Sequence, residues 1–203
     1  MRSDFPNGGD VTEPYQRREN VKVEIVDFRS EHAEAFRQMN LDWITLYWEV
    51  EDADRLYLEN PRGKILEPGG AILMALDEGE AVGTVALISM GSGSYELAKM
   101  AVEERVRGRG IGWRLGRALL DRAREIGATR VYLESNTILE PAINLYRKLG
   151  FRSIKGGVSC YDRCNIQMEV WLAGGGPTPD PDTEPVPGVD SSVDSSGSAP
   201  ETV

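Results

Sequence analysis

The chain has 203 residues and a formal net charge of −10, a size that suits one soluble domain with a full hydrophobic core. No apolar run approaches the roughly 20 residues of a membrane span, and no basic stripe favours nucleic-acid binding. Six of the acids lie in residues 173–203 without any Lys or Arg, so the remaining chain carries only −4.

The two ends of the chain differ from the middle. Residues 1–20 are polar and lack the apolar segment of a secretory signal, so we predict a flexible lead-in. Residues 173–203 consist mainly of Gly, Pro, Ser and acids, which predicts a disordered tail. A single domain over 21–172 remains. Its two cysteines, Cys160 and Cys164, fit neither a zinc site nor a disulfide framework, and they indicate a metal-free protein of the reducing cytoplasm.

The domain begins with a predicted strand and a predicted helix. Residues 21–27 alternate apolar and polar side chains, as a half-buried strand does. Ser30 is the predicted N-cap of a helix that runs to about Tyr47 or Trp48. Apolar residues recur along this helix at spacings of three and four and predict one core-facing side: Phe36, Met39, Trp43 and Tyr47. Trp43 and Tyr47 are also candidates for lining a substrate pocket.

A run of acids follows within six positions: Glu49, Glu51, Asp52 and Asp54. Such a run is typical of a solvated helix start, and we expect a second short helix here that ends before Pro61. The alternative is that these acids, Glu49 and Asp52 foremost, attract a cationic substrate. Residues 61–70 contain the prolines and glycines of a loop.

Three strands are predicted next, arranged as a meander. Residues 71–76 and 81–90 are apolar runs on either side of the turn signal Asp77-Glu78-Gly79-Glu80, which predicts a hairpin. The glycines after residue 90 then turn the chain into a third strand over 94–102.

A glycine-rich loop, Arg107-Gly108-Arg109-Gly110-Ile111-Gly112, lies between this third strand and a helix. Three glycines at alternate positions let backbone N–H groups approach an anion, and the helix N-terminus adds partial positive charge. The two arginines strengthen the pattern. The loop therefore predicts a seat for a phosphate or pyrophosphate, although glycine and arginine also make ordinary surface turns.

The helix after the loop is amphipathic, and Gly127 ends it. Its predicted buried residues are Ile111, Leu115, Ala118, Leu119 and Ile126. Gly116 interrupts the helix interior, where glycine is unfavourable, so we predict close packing at that point. The next strand, 131–135, is reached through this helix, which makes the two strands a parallel pair.

The last predicted elements close the sheet. Pro141 opens a short helix over 142–149, and residues 151–155 and 165–172 are two final strands. The predicted fold class is therefore α/β with a mixed sheet, mostly antiparallel with one parallel pair, flanked by helices.

This order of elements, with the strings ELAKMAVEERVRGRGIG, LESN and AINLYRKLGF, resembles the GCN5-related N-acetyltransferase (GNAT) family over 21–172. The family's acetyl-CoA signature is Arg or Gln, two residues, Gly, one residue, and Gly or Ala, and it corresponds to residues 107–112. A second signature, an Asn after the next strand and a Tyr in a short helix, corresponds to Asn136 and Tyr146. The resemblance implies an enzyme that transfers an acetyl group from acetyl-CoA to a primary amine.

The resemblance also implies roles for individual residues. Backbone groups of Met100, Ala101 and Val102 would meet the pantetheine arm, in the gap where two parallel strands splay apart. Asn136 would bind the pantetheine, and Tyr146 would lie near the thioester sulfur. The amides that would bind the pyrophosphate are those of Arg107, Gly108, Arg109, Gly110, Ile111 and Gly112.

The chemistry of acetyl transfer suits these residues. The amine attacks the thioester carbonyl directly in a ternary complex, so proximity supplies much of the rate. A backbone N–H near Met100 or Ala101 would stabilise the oxyanion, and Tyr146 would protonate the leaving thiolate. An amine arrives protonated, so a base is needed. Glu96 is the first candidate and Glu134 the second.

Two other functions stay open. A binding module that senses acetyl-CoA without turnover would carry the same loop. A dinucleotide-dependent oxidoreductase would need Gly-x-Gly-x-x-Gly, but the third glycine position holds Trp113 or Leu115. The only histidine, His32, is predicted to lie at the surface, and the chain offers no Ser-His-Asp or Cys-His set.

The acceptor is predicted only as a small-molecule or peptide amine. The residues of the first two helices that would meet it are Trp43, Tyr47, Glu49 and Asp52. Nucleic-acid and membrane partners are not expected, and the sequence is compatible with a monomer or a homodimer.

Overall fold

The computed structural model describes residues 23–154 and 161–172. These residues form a seven-stranded sheet in the order β1-β2-β3-β4-β5-β7-β6, with helices on both faces. The predicted lead-in, the predicted tail and Cys160 lie outside the described residues. The strands are β1 (Glu24–Asp27), β2 (Ala71–Asp77), β3 (Glu80–Ser89), β4 (Ser94–Val102), β5 (Arg130–Ser135), β6 (Arg152–Ile154) and β7 (Ile166–Trp171). The helices are α1 (Ala33–Thr45), α2 (Asp52–Glu59), α3 (Ile111–Glu125) and α4 (Glu140–Lys148).

The sheet contains one parallel pair, which confirms the predicted fold class. Strands β1 to β4 are antiparallel neighbours, and β5 pairs antiparallel with β7. Between them, β4 and β5 run parallel, and their pairing ends at Glu96 and Tyr132. Beyond that pair the two strands diverge, so the second half of β4 faces a gap instead of a neighbouring strand.

Both faces of the sheet are covered, which explains the nearly continuous apolar runs of β2 and β3. Successive residues of a strand point to opposite faces. Leu73 and Ala75 pack into the core formed with α3 and α4, whereas Ile72 and Met74 pack into the core formed with α1 and α2. In the described part of the chain, no helix is long and apolar enough to cross a membrane.

Gly116 of α3 is closely packed, as the sequence predicted. A Cβ at that position would collide with Cδ1 of the buried Leu149, just beyond the end of α4. Gly127, with φ of +77°, follows the end of α3 in the left-handed conformation that favours glycine. The predicted burial of Ile126 is wrong, because the helix ends there and the side chain is exposed.

Gly116→Ala tests this close approach. We expect the free energy of unfolding to fall by about 1–2 kcal/mol, because overpacking a core costs about 1–3 kcal/mol and exceeds the gain in helix propensity. Urea unfolding measures the change. Gly112→Ala is the control on the same helix, since a Cβ there meets Leu145 at 3.4 Å and Met100 at 3.6 Å, which are ordinary contacts. A Gly116→Ala protein as stable as the wild type would contradict the expectation.

The start of α1 differs from the prediction. A 3₁₀ turn over Ser30–His32 precedes the helix, so Ser30 is not its N-cap, and α1 ends at Thr45. The predicted surface position of His32 is also wrong. Its side chain is buried. Nδ1 accepts a hydrogen bond from the Arg29 backbone N–H at 3.0 Å, and the ring makes an edge contact with Phe28.

Residues 61–70 are not the simple loop that their prolines and glycines predicted. A π-helical turn over Arg62–Leu66 lies directly after Pro61, and it buries Ile65 completely. Proline is compatible with the start of a helical turn because its fixed φ is already helical and its missing N–H needs no partner there.

Candidate active site

A cleft of about 690 Å³ opens where β4 and β5 diverge. It is lined by the end of α1, the second half of β4, the glycine loop with the start of α3, the end of β5, and α4. Most of the predicted site residues line it together: Trp43, Tyr47, Glu96, Met100, Ala101, Val102, Arg107, Gly108, Gly110, Ile111, Gly112, Asn136 and Tyr146. Arg109, Glu49 and Asp52 are not among the lining residues.

The glycine loop presents main-chain donors to this cleft. Gly108 and Gly110 have φ of +79° and +74°, a conformation that side-chain-bearing residues rarely adopt. Gly110 is the N-cap of α3, and the first helical hydrogen bond runs from Arg114 N–H to its carbonyl at 3.1 Å. The N–H groups of residues 111–113 therefore have no helical acceptor. With the positive end of the helix dipole, they form a site suited to an anion such as pyrophosphate.

The two arginines of the loop point in different directions. Arg107 lines the cleft, and its Nε donates to the Val102 carbonyl at 3.3 Å. Arg109 instead pairs with Asp77 at 2.6 Å, at the turn between β2 and β3. Arg109 thus holds the loop against the sheet, and of these two arginines Arg107 offers its positive charge to the cleft.

Strand β4 carries a β-bulge at the centre of the cleft. Ala98 pairs with Ala86 and Ala101 with Thr84, so Lys99 and Met100 together lie opposite a single residue of β3. Lys99 adopts φ of +49°, which costs an L-residue about 1–2 kcal/mol. The bulge turns this part of the backbone out of the regular ladder, next to the gap left by β5.

Glu96 is a buried carboxyl group that lines the cleft. It is 5% exposed, and none of the described residues donates a hydrogen bond to it. Burial, together with the nearby negative charge of Glu134, raises its pKa to about 7, although Lys99 acts in the opposite direction. A carboxyl group with this pKa is half ionised at neutral pH, which suits proton transfer.

The other two predicted acid–base residues lie in the same cleft. Glu134 accepts a hydrogen bond from Gln167 Nε2 at 2.9 Å. Tyr146 is buried against Phe151, and burial raises its pKa to about 12. The phenol is therefore protonated at neutral pH and can serve as a proton donor.

Asn136 lines the cleft but also ties two loops together. Its Nδ2 donates to the Arg163 carbonyl at 2.6 Å, and its Oδ1 accepts from the Ile138 N–H at 3.0 Å. These two contacts use only one of the two Nδ2 protons, and a role of Asn136 in binding pantetheine stays a prediction.

A buried ionic cluster borders the cleft on the α1–α2 side; it consists of Glu51, Asp54, Lys99, Tyr161 and Arg163. Asp54 is fully buried and accepts from Lys99 Nζ at 2.7 Å. It also receives two hydrogen bonds from Arg163, each of 2.8 Å. Lys99 Nζ further donates to the Tyr161 hydroxyl at 2.9 Å, and Arg163 donates to Glu51 at 2.7 Å. Two cations and two anions thus neutralise each other.

The cluster corrects the prediction for the acids after α1. Burial alone would raise the pKa of Asp54, but the hydrogen bonds and charges of Arg163 and Lys99 outweigh burial and hold the pKa below its usual range. Asp54 and Glu51 are therefore neither a solvated helix start nor free to attract a substrate. Glu49 and Asp52 are exposed and lie outside the cleft lining.

Three aromatic residues form a wall of the cleft on the same side. Trp43, Tyr47 and Trp48 contact one another with ring centroids 5.3–6.5 Å apart, and all three line the cleft. Tyr47 is 54% exposed, so it lies at the mouth and not in the core as its spacing suggested. We call this group the aromatic wall.

Sequence reasoning missed Lys99, Tyr161 and Arg163. A lysine in the otherwise apolar second half of β4 was a usable signal for Lys99, since burying a lone ammonium is costly and demands a partner. The partner, Asp54, is 45 residues earlier, and no local pattern connects them. Among the described residues, no group of three His, Cys, Asp or Glu could hold a metal ion.

Residues 33–151 match the acetyltransferase (GNAT) family. The uncharacterized N-acetyltransferase YjgM of Escherichia coli K12 is 36% identical over 107 residues, which cover 50% of this chain and 64% of that protein. The match therefore spans less than two thirds of that protein's length.

Solved structures agree on the fold. An acetyltransferase of the GNAT family from Staphylococcus aureus MU50 has a TM-score of 0.68 at 24% identity, covering 73% of this chain and 98% of that one. The yncA protein of Salmonella typhimurium, solved with its cofactor acetyl-CoA, has a TM-score of 0.60 at 20% identity, covering 79% and 99%.

Proposed function

Because the chain belongs to the acetyltransferase (GNAT) family, we propose that it transfers an acetyl group from acetyl-CoA to a primary amine by direct attack in a ternary complex. The observation that carries the proposal is the cleft between the diverging β4 and β5, which is lined both by the N–H groups at the start of α3 and by the buried carboxyl group of Glu96. Acetyl-CoA needs the first feature, and an amine needs the second.

The cofactor would lie along the backbone half of the cleft. Its pyrophosphate would bind the N–H groups at the start of α3, with Arg107 beside it. Its pantetheine arm would follow the second half of β4, where pairing with β5 has ended. The thioester carbonyl would then meet the N–H groups at the bulge, near Met100 and Ala101.

The reaction would use the two acid–base residues of the cleft in turn. Glu96 would accept a proton from the ammonium, and the free amine would attack the thioester carbonyl carbon. The C–N bond forms, the C–S bond breaks, and the thiolate would take a proton from Tyr146. The attacking nitrogen would give up its remaining extra proton, which restores the phenol of Tyr146. The products are an amide and CoA, and the bulge N–H groups would stabilise the oxyanion between them.

We also propose that the acceptor is a cationic amine with an apolar or aromatic part. The aromatic wall offers ring faces to an ammonium and to apolar groups. The cations of the ionic cluster are already neutralised, so the carboxyl groups of Glu96 and Glu134 leave this side of the cleft with negative charge. A carboxylate next to the amine would be repelled there.

Binding is tested before turnover. Thermal unfolding is compared with acetyl-CoA, CoA and NADH in parallel, and a ligand at about 100 times its Kd stabilises by roughly 2.7 kcal/mol. We expect a shift with acetyl-CoA and none with NADH. A shift with NADH alone would overturn the proposal.

Turnover is tested with an acceptor panel and thiol detection. We expect phenethylamine to react faster than spermidine, and both to react faster than phenylalanine or aspartate, which carry a carboxylate beside the amine. Acetyl-CoA binding without turnover of any amine would favour a sensor. Preference for the amino acids would overturn the acceptor class and leave the acetyltransferase intact.

A further inference from the structure

The strained bulge of β4 and the buried ionic cluster meet in one residue. Lys99 has the left-handed backbone at the bulge, and its side chain, 5% exposed, ends in the cluster. Regular strands do not need such an anchor, and a lysine does not favour φ of +49° by itself. The coincidence needs an explanation beyond ordinary packing.

The cluster supplies fixed points for the ammonium on two separate segments. Asp54 belongs to α2 and is itself held by two hydrogen bonds from Arg163 and one from the Glu51 N–H. Tyr161 precedes β7 and provides the second acceptor for Lys99 Nζ, at 2.9 Å. With its far end held from both sides, the Lys99 side chain leaves its own backbone little freedom to rotate.

We propose that Lys99 is a positioning residue: its ion pair with Asp54 and its hydrogen bond with Tyr161 hold the left-handed bulge of β4, and the bulge orients the backbone N–H groups of Met100 and Ala101 toward the thioester carbonyl. The proposal rests on the acetyltransferase function proposed above. Lys99 acts through the backbone and does not itself contact the reacting atoms.

Lys99→Met and Lys99→Gly separate the side-chain anchor from the backbone conformation. Methionine fills the same space without an ammonium and still disfavours the left-handed conformation, whereas glycine adopts it at no steric cost. We expect Lys99→Met to lower kcat about 10-fold to 100-fold, less than the 10²–10³-fold for a lost oxyanion donor, with little change in the KM of acetyl-CoA. Lys99→Gly should recover a large part of kcat.

Two results would overturn the proposal. An unchanged kcat in Lys99→Met would show that the anchor is dispensable. Equal losses in Lys99→Met and Lys99→Gly would show that the ammonium acts by its charge and not through the backbone. Tyr161→Phe removes one hydrogen-bond acceptor of Lys99 and keeps its ion pair with Asp54, so we expect a smaller loss of kcat than in Lys99→Met. This variant tests the proposal if Lys99→Met does not fold.

A binding measurement distinguishes this proposal from the proposed function. Acetyl-CoA differs from CoA by the acetyl group on sulfur, and the bulge would contact the carbonyl of that group. In titration calorimetry we expect the wild type to prefer acetyl-CoA over CoA, and Lys99→Met to lose that preference while it still binds CoA. A wild type that binds neither ligand contradicts the proposed function. A variant that keeps the preference contradicts the role of Lys99.

Discussion

Glu96→Gln is expected to lower kcat by about 10²-fold or more, because general-base catalysis supplies about 10²–10⁴-fold and glutamine cannot accept the proton. Glutamine keeps the shape of the side chain, so the KM of acetyl-CoA should change little. Steady-state kinetics with the best amine of the panel measures both constants. A kcat within threefold of the wild type would assign the proton to another acceptor.

The pH dependence gives this prediction a second test. The base must be ionised, so the rate of the wild type should rise with pH through about 7, the raised pKa of Glu96. In Glu96→Gln this rise should be absent, while the rise caused by the amine itself at higher pH remains. Glu134→Gln is the matched control. It removes a negative charge that raises the pKa of Glu96, so the rise should move to lower pH with a smaller loss of kcat.

Stability reports on the same ionisation without any substrate. A folded-state pKa above the ordinary value means that the folded protein favours protonated Glu96. Its contribution is therefore complete at low pH and is lost as pH rises through about 7. As the pH rises from 4.5, the ordinary pKa of a glutamate, to about 7, the melting temperature of the wild type should fall relative to that of Glu96→Gln. Parallel melting curves of the two proteins would refute the raised pKa.

Asp54→Asn should be the most damaging change to stability, with a loss of about 3–5 kcal/mol in the free energy of unfolding, because it leaves the buried Lys99 ammonium without its carboxylate. Lys99 is 5% exposed in its side chain and Asp54 is fully buried, so water cannot replace the carboxylate. Urea unfolding of Asp54→Asn against the wild type measures the loss.

The double variant Asp54→Asn with Lys99→Met is the control for this loss. It removes the stranded ammonium, so we expect it to be more stable than Asp54→Asn alone. If the second substitution adds a further loss of its own, the two residues are not paired in solution. Glu51 is partly exposed and should tolerate Glu51→Gln with a much smaller loss.

The acid side of the stability curve has the opposite sign. The pKa of Asp54 is held below its usual range, so its contribution is present at neutral pH and is lost as the pH falls through that lowered value. The stability contribution of Glu96 is thus lost as the pH rises through about 7, and that of Asp54 is lost as the pH falls into the acidic range.

The sequence predicted the parts of the fold that depend on local patterns. Alternation identified β4, and the glycines of the following loop predicted where α3 begins, since both signals lie within a few residues. The parallel pairing of β4 and β5 also followed from a general rule, because a helix joins them.

The parts that failed depend on distant partners. Asp54 looked like a solvated acid because Arg163, which neutralises it, lies 109 residues later. The left-handed backbone of Lys99 has no sequence signal, since nothing but the surrounding structure makes a lysine adopt it. Arg107 and Arg109 are alike in the loop, and only the fold places Asp77 beside one of them.

The two halves of the cleft differ in the kind of group that they offer to a ligand. In the half proposed for acetyl-CoA, the expected contacts are mainly with main-chain groups, namely those at the start of α3, in the glycine loop and at the bulge, whereas the aromatic wall consists of side chains. Mutation exchanges side chains and leaves peptide groups in place. We therefore expect a library randomised at Trp43, Tyr47 and Trp48 to change which amine is accepted while acetyl-CoA binding persists, so that the proposed acceptor preference could evolve separately from the proposed cofactor site.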